Sequence, residues 1–265
     1  MLVAFNVEGE NLTNHNVKFP NLSFAAQNVL SLNVSTKNSK TDLKILAVTK
    51  NNVDVVILSD TRLNTDKQNA SIHDLTKKFL FRGYNFIHNS KSSSRGVAIL
   101  IKKTLDWEIH SKKAHIGDNY LLLDITIMKK RFTLAAVYGP NNDDLQFYDT
   151  LERDISSLNN EIIIAGGDWN ATLDPSGIEH NLDAINMRNI PSRRRSEKIN
   201  SMARNLKIID PFRFLHPLKK EFTFVPNIPG QKNRSRLDFF LVSDKIIHDC
   251  KIANIPHNLT YKQDF

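Results

Sequence analysis

The order in which strand-length and helix-period apolar runs succeed one another constrains this chain more than any other feature. Ala26 to Val34 (AQNVLSLNV) reads as a buried strand, TDLKILAVTKNN places Leu43, Leu46 and Ala47 on one helical face, and VDVVILSD is again a β-branched run. That is a strand-helix-strand unit. Ile72, Leu75 and Phe79 mark a second, short helix. The strand candidates YNFIHNS, GVAILIKK, NYLLLDITIM and FTLAAVYGP then follow without an intervening helix, separated by turn residues such as SKSSSRG and HIGDN. From Asp143 helical period returns with Phe147, Leu151, Ile155 and Leu158, and EIIIAGGDWN supplies another buried strand. A further helix carries Ile199, Met202, Ala203 and Leu206 behind the candidate caps Ser192 and Ser196, and RLDFFLV, 236 to 242, ends the pattern. Crossovers need parallel neighbours and hairpins need antiparallel ones, so neither a purely parallel sheet nor an all-β fold accommodates both. The pattern predicts an α/β (α+β) fold, a four-layer sandwich of two mixed β-sheets flanked by helices. At 265 residues one domain suffices, over 26–265, with residues 1–25 expected as a leader of uncertain structure.

Several of these strands end in, or contain, polar residues that a core would not choose: Asn33, Asp60, the pair Asp168/Asn170, and Asp238. A carboxylate beside an apolar run needs water, a hydrogen-bond donor or a cation, because an unpaired buried charge is strongly disfavoured. Asn33 and Asp60 are each also explained by a strand closing into a turn. Asp238 is harder to explain that way, since apolar residues flank it on both sides in RLDFFLV. In GGDWN the glycines permit close backbone approach, and Asp168 and Asn170 share a side if the strand continues. Neighbouring strands would gather these oxygens at one sheet edge, where they suit magnesium, or manganese in its place.

The chain carries 36 Lys+Arg against 28 Asp+Glu, a formal charge of +8 and a pI near 9.5. Such a field attracts a polyanion such as nucleic acid, although composition alone equally fits a basic protein with a solvated surface. Cys250 is the single cysteine, so no intrachain disulfide forms and a reducing compartment is expected, nuclear or else cytoplasmic. No apolar run approaches the roughly 18 residues of a membrane span, and the opening residues lack a secretory pattern.

These residues, in this order, resemble the exonuclease III / deoxyribonuclease I-like endonuclease-exonuclease-phosphatase superfamily, over about Asn28 to Phe265. Asn33 in SLNV looks like the family's first metal-site asparagine, and Asp60 in ILSDTRL stands where the family usually has Glu. Tyr138 and Asn141 in VYGPN resemble its Tyr-x-Pro-Asn loop, Asp168 and Asn170 its Gly-Asp-Phe/Trp-Asn motif, and Asp238 the acid that follows Arg-Leu in its last strands. SDTRL, GGDWNATLDP and the stretch IIDPFRFLHPLKKEFTFVP before SRLDFFLVSD are most similar to the endonuclease domain of LINE-type, non-LTR retrotransposons. The family ends its site on Asp-His. Here either Asp264 is that Asp, with Phe265 in place of the His, or the chain stops before the pair and lacks the last strand. His248 and His257 do not follow an Asp in the family's manner.

The resemblance implies a magnesium-dependent DNA endonuclease that nicks double-stranded DNA. It implies metal at Asp60 and Asn33, an attacking water aligned by Asp168, phosphate contacts from Asn170 and Tyr138, and catalytic support from Asp238 and Asp264. Asn141, the basic run Arg193, Arg194 and Arg195, and Arg236 at the end of the PNIPGQKNRSR loop are the expected substrate contacts, with a solvated charged turn the alternative for the arginine run. Without the histidine, activity is expected to be weak. The alternatives are a DNA-binding relic without catalysis, a phosphatase, or an abasic-site repair endonuclease of the same superfamily. A monomer acting alone or as part of a polyprotein with reverse transcriptase is expected.

Overall fold

The computed structural model describes residues 2–8, 19–32, 39–64, 69–173, 182–185, 193–226 and 233–255. In chain order the elements begin with β1 (Leu2–Val7), β2 (Leu22–Asn28), α1 (Ser39–Thr49), β3 (Val55–Ser59), α2 (Asn69–Phe81), β4 (Tyr84–Asn89) and β5 (Val97–Lys102). Then follow β6 (Trp107–Ala114), β7 (Tyr120–Ile127), β8 (Lys130–Tyr138), α3 (Leu145–Ser156), β9 (Ile163–Asp168), β10 (Ala184–Ile185) and α4 (Arg193–Leu206). The last are β11 (Ile208–Ile209), α5 (Pro211–Leu215), β12 (Arg234–Ser235), β13 (Asp238–Ser243), α6 (Asp244–Ile247) and β14 (Cys250–Asn254).

Twelve of these strands form two six-stranded sheets, ordered β14-β1-β2-β3-β5-β4 and β11-β13-β9-β8-β7-β6, while β10 and β12 pair separately. The pairs β2·β3 and β8·β9 are parallel, and the remaining ladders are antiparallel. Each parallel pair is the product of one crossover helix, α1 in the first sheet and α3 in the second, as a parallel neighbour requires. The sheets pack face to face through Phe5, Phe24, Ile57, Ile99, Leu134 and Phe240. On the outer face of the first sheet Ile45, Val48, Leu75 and Phe79 pack against Val56 and Leu100. On the outer face of the second, Phe147, Leu151, Ile199 and Met202 pack against Ala135, Ala165 and Leu241. The molecule is therefore a four-layer α/β sandwich of two mixed sheets. Among the described residues no helix is long and apolar enough to cross a membrane.

Four details differ from expectation. Residues 1–25 contribute β1, inserted between β14 and β2, and the start of β2. The β2 strand begins four residues before Ala26 and ends at Asn28, and Leu30 and Ser31 then take positive φ (47° and 77°), so the chain turns where a continuing strand was expected. In α1 the buried face is Thr41, Ile45 and Val48, whereas Leu43 and Leu46 are 56% and 41% exposed. Of the candidate caps, Ser196 lies inside α4 and is buried, and Ser192 lies outside the described residues.

Candidate active site

Parallel neighbours end on the same edge, so one crossover aligns the C-terminal ends of β2 and β3 and the other those of β8 and β9, and contact between the sheets brings both edges to one end of the sandwich, the position where open α/β sheets present ligand-binding residues. The chain leaves these four strands at Asn28, Asp60, Tyr138 and Asp168. The antiparallel β13 starts where β9 stops, and its register sets Asp238 opposite Asp168, which in turn stands opposite Tyr138 on β8. Across the gap between the sheets the Asn28 Nδ2 donates to Asp168 Oδ2 at 2.7 Å. That bond joins residues 140 apart in sequence.

Asp168 is held on both oxygens, since the Asn170 backbone N–H donates to Oδ1 at 2.9 Å. The Asn170 side chain donates in turn to Gly139 O at 2.8 Å, and Asn170 itself has φ +49°. Backbone packing here leaves no room for side chains. A Cβ on Gly139 would lie 2.1 Å from Trp169 O, one on Gly166 would lie 2.3 Å from the Phe240 ring, and Gly167 holds φ +139°. The buried Trp169 stacks on Phe239 and donates Nε1–H to Phe239 O, which fixes the backbone between Asp168 and Asn170.

Asp168 and Asp238 are 6% and 5% exposed, and among the described residues Asp238 Oδ1 has no hydrogen-bond partner. Burial pushes both carboxyls above the ordinary carboxylate range, and the charge of Asp238 adds to the shift at Asp168. Tyr138 is likewise shifted up, by burial and then by the charges of Asp60 and Asp168. Asp60 follows β3 with φ +60° and receives Arg62 on both oxygens, Nε to Oδ1 at 2.7 Å and Nη2 to Oδ2 at 2.8 Å. Positive φ at Leu30, Ser31, Asp60, Arg62 and Asn170 turns the chain sharply where it leaves β2, β3 and β9.

The donor set fits a hard divalent cation. It consists of carboxylate and amide oxygens, it holds more buried negative charge than the neighbouring donors neutralise, and the orphaned Asp238 oxygen points to a missing partner. Among the described residues no group of three or more His, Cys, Asp or Glu side chains forms a cage. Magnesium needs none, because it keeps several waters and takes one or two carboxylates plus substrate oxygens.

Of the residues singled out from sequence, Asp60, Tyr138, Asp168, Asn170 and Asp238 share this end of the molecule. Asn141 is exposed on the loop after β8. Asn33, Asp264 and His257 lie outside the described residues, and His248 is exposed beside Phe214 at the end of α6. Two substrate contacts are corrected. Arg195 is buried, with Nη1 donating to Pro140 O and Asn170 O at 2.8 Å each, so it braces the site's loops from within. Arg236 is fully buried and ion-paired with Asp183 and Asp210, out of reach of a substrate. Arg193 and Arg194 are exposed. Two site residues were not singled out: Asn28, whose signal was its place at the true strand end, and Arg62, present in SDTRL but without an assigned role.

A family model described as the endonuclease/exonuclease/phosphatase family matches residues 4–256. The "Transposon TX1 uncharacterized 149 kDa protein" of Xenopus laevis is 24% identical over 180 residues, covering 66% of this chain. The aligned part is 13% of that relative's length. Among solved structures, an AP endonuclease of Leishmania major superposes with a TM-score of 0.66 at 18% identity, covering 85% of this chain and 80% of that one. A 3′ phosphatase of Neisseria bound to product DNA hairpin gives 0.61 at 17% identity, covering 86% and 88%. At these identities the structural likeness shows the fold.

Proposed function

Because the chain belongs to the endonuclease/exonuclease/phosphatase family, we propose that it is a divalent-metal-dependent endonuclease that nicks double-stranded DNA by phosphodiester hydrolysis, as in LINE-type retrotransposition. The observation that carries this reading is the hydrogen-bonded cluster of Asn28, Asp168 and Asn170 beside Asp238, Tyr138 and Asp60, drawn from both sheets to one end. The transposon relative and the formal charge of +8 favour a DNA substrate. Action on chromosomal DNA would place the protein in the nucleus, as a segment of a longer polyprotein if it is organised as that relative is.

Asp168 aligns a water and accepts its proton; its raised proton affinity suits a base working near neutral pH. Asn28 and the Asn170 N–H hold the carboxylate in place for that transfer. Tyr138 and Asn170 lie beside Asp168, placed to donate to phosphate oxygens as charge develops on them. Asp60, Asp238 and the Asn28 amide are the oxygens that would hold magnesium or manganese. When bound, that ion supplies positive charge to the scissile phosphate and the departing 3′ oxygen.

Relaxation of supercoiled plasmid in the presence of Mg²⁺ and its abolition by EDTA is the expected result. Asp168→Asn should lower the single-turnover rate at least about a hundredfold with DNA binding retained, the scale on which a positioned acid or base contributes. Nicking that survives EDTA, or an Asp168→Asn variant as fast as the parent, would overturn the reading. Binding without nicking would identify a relic, and cleavage confined to 3′-phosphate ends or to abasic duplexes would select a phosphatase or a repair enzyme.

A further inference from the structure

The contact between Asp60 and Arg62 carries an inference about how this site takes up its metal, and it rests on the metal-dependent reading above. Asp60 is 1% exposed, and both its oxygens are engaged by one guanidinium. A bidentate Arg-carboxylate pair is among the stronger side-chain contacts a protein makes. A guanidinium stays charged in a protein, so Arg62 cannot leave as a neutral group and must rotate away to free either oxygen. The two partners differ in freedom. Asp60 sits on backbone pinned by Ser31 N–H to Asp60 O at 2.8 Å and Thr61 N–H to Gly96 O at 3.0 Å. The Arg62 side chain is 42% exposed and has solvent to swing into. A second cation stands close by: Lys44, whose Nζ is tied to the Leu30 and Ser31 carbonyls at 2.8 and 2.7 Å, feels the charge of Asp60.

We propose that Arg62 is a built-in competitor for the divalent cation at Asp60, an internal cation that an incoming metal ion must displace from at least one carboxylate oxygen. A carboxylate satisfied on both sides is available to metal only in the fraction of molecules in which Arg62 has turned out, and the apparent dissociation constant rises by the inverse of that fraction. The site then binds its metal weakly by itself, although its buried carboxyls demand a cation.

Mn²⁺ binding without DNA, followed by the paramagnetic resonance signal of the free ion, tests this independently of turnover. Arg62→Ala and Arg62→Gln are expected to bind Mn²⁺ at least about tenfold more tightly than the parent. The gain should vanish when Asp60→Ala is added to either. The parent's melting temperature should rise less on adding Mn²⁺ than that of Arg62→Gln, because ligand stabilisation scales with affinity. Arg62→Gln retains a donor to Asp60, so it carries the test should Arg62→Ala fail to fold. Equal Asp60-dependent affinity in parent and variants would overturn the competition while leaving the metal reading intact. Mn²⁺ binding indifferent to Asp60 in every protein would overturn both.

Discussion

Asp168 and Asp238 face each other across the β9·β13 ladder, each buried and each pushed above the carboxylate range, and their stored repulsion has a measurable pH signature. In the unfolded chain both titrate near about 4. Between that pH and their raised native values the folded state holds more protons than the unfolded one, so their contribution to stability is fully present in acid and is lost as pH rises. Asp238→Asn removes the repulsion and the charge of the unpartnered oxygen together. In EDTA the variant should be more stable than the parent at pH 7.5, by an amount of order 1 kcal/mol, and the difference should shrink towards pH 4.5. A variant less stable than the parent at pH 7.5 would show that Asp238 is better compensated than its surroundings indicate. The carboxylates and Asn170 were legible because acids and amides at the ends of apolar runs are chemically out of place, and Tyr138 only through the resemblance of VYGPN to the family's loop. The pairing of Asn28 with Asp168 was not, since it depends on a contact between two sheets.

Among the elements, β13 and α5 depend on a buried ionic network. Arg236, fully buried, pairs with Asp183 and Asp210, and Arg213 joins it at Asp183. Its guanidinium also lies 5.3 Å and 5.4 Å from the ring centroids of Phe212 and Phe239. Burial would raise the Asp183 carboxyl, but the charges of Arg236 and Arg213 outweigh it and hold the pKa low. The network ties the short β10·β12 pair and the start of β13 to α5, whose N-terminus Asp210 caps. Arg236→Met is expected to destabilise the protein by about 3–5 kcal/mol, because it takes the buried Asp210 carboxylate's ion pair away and leaves Asp183 with Arg213 alone. Chemical denaturation measures this, and a loss below about 1 kcal/mol would mean that water or Arg213 replaces the missing charge. From sequence, Arg236 belonged to an exposed basic loop; nothing local distinguishes a buried arginine from a solvated one when its partners are 26 and 53 residues away.

At the scale of the whole molecule, the excess positive charge predicts salt-sensitive, largely sequence-indifferent binding to duplex DNA. The arginine run contributes unequally. Arg193 and Arg194 are exposed at the start of α4, while Arg195 turns inward to the Pro140 and Asn170 carbonyls. Replacing Arg193 and Arg194 by Ala should flatten the dependence of log K on log salt by up to about two units, whereas Arg195→Ala should leave that slope unchanged and lower the nicking rate. Equal slopes for both variants would assign Arg193 and Arg194 to a solvated surface, in keeping with the pairing of Arg193 to Glu197. The sequence by itself determined the succession of crossovers and hairpins, and with it two mixed sheets under helices, because period and length of apolar runs report burial directly. It also determined that acids and amides end those runs. Only the tertiary structure decided that β2 stops at Asn28, that Arg62 occupies Asp60, and that Arg195 and Arg236 are interior. Each of those outcomes depends on strand register or on a partner distant in the chain, and a charged side chain carries no local mark of whether its counter-ion will be water, a carboxylate or DNA.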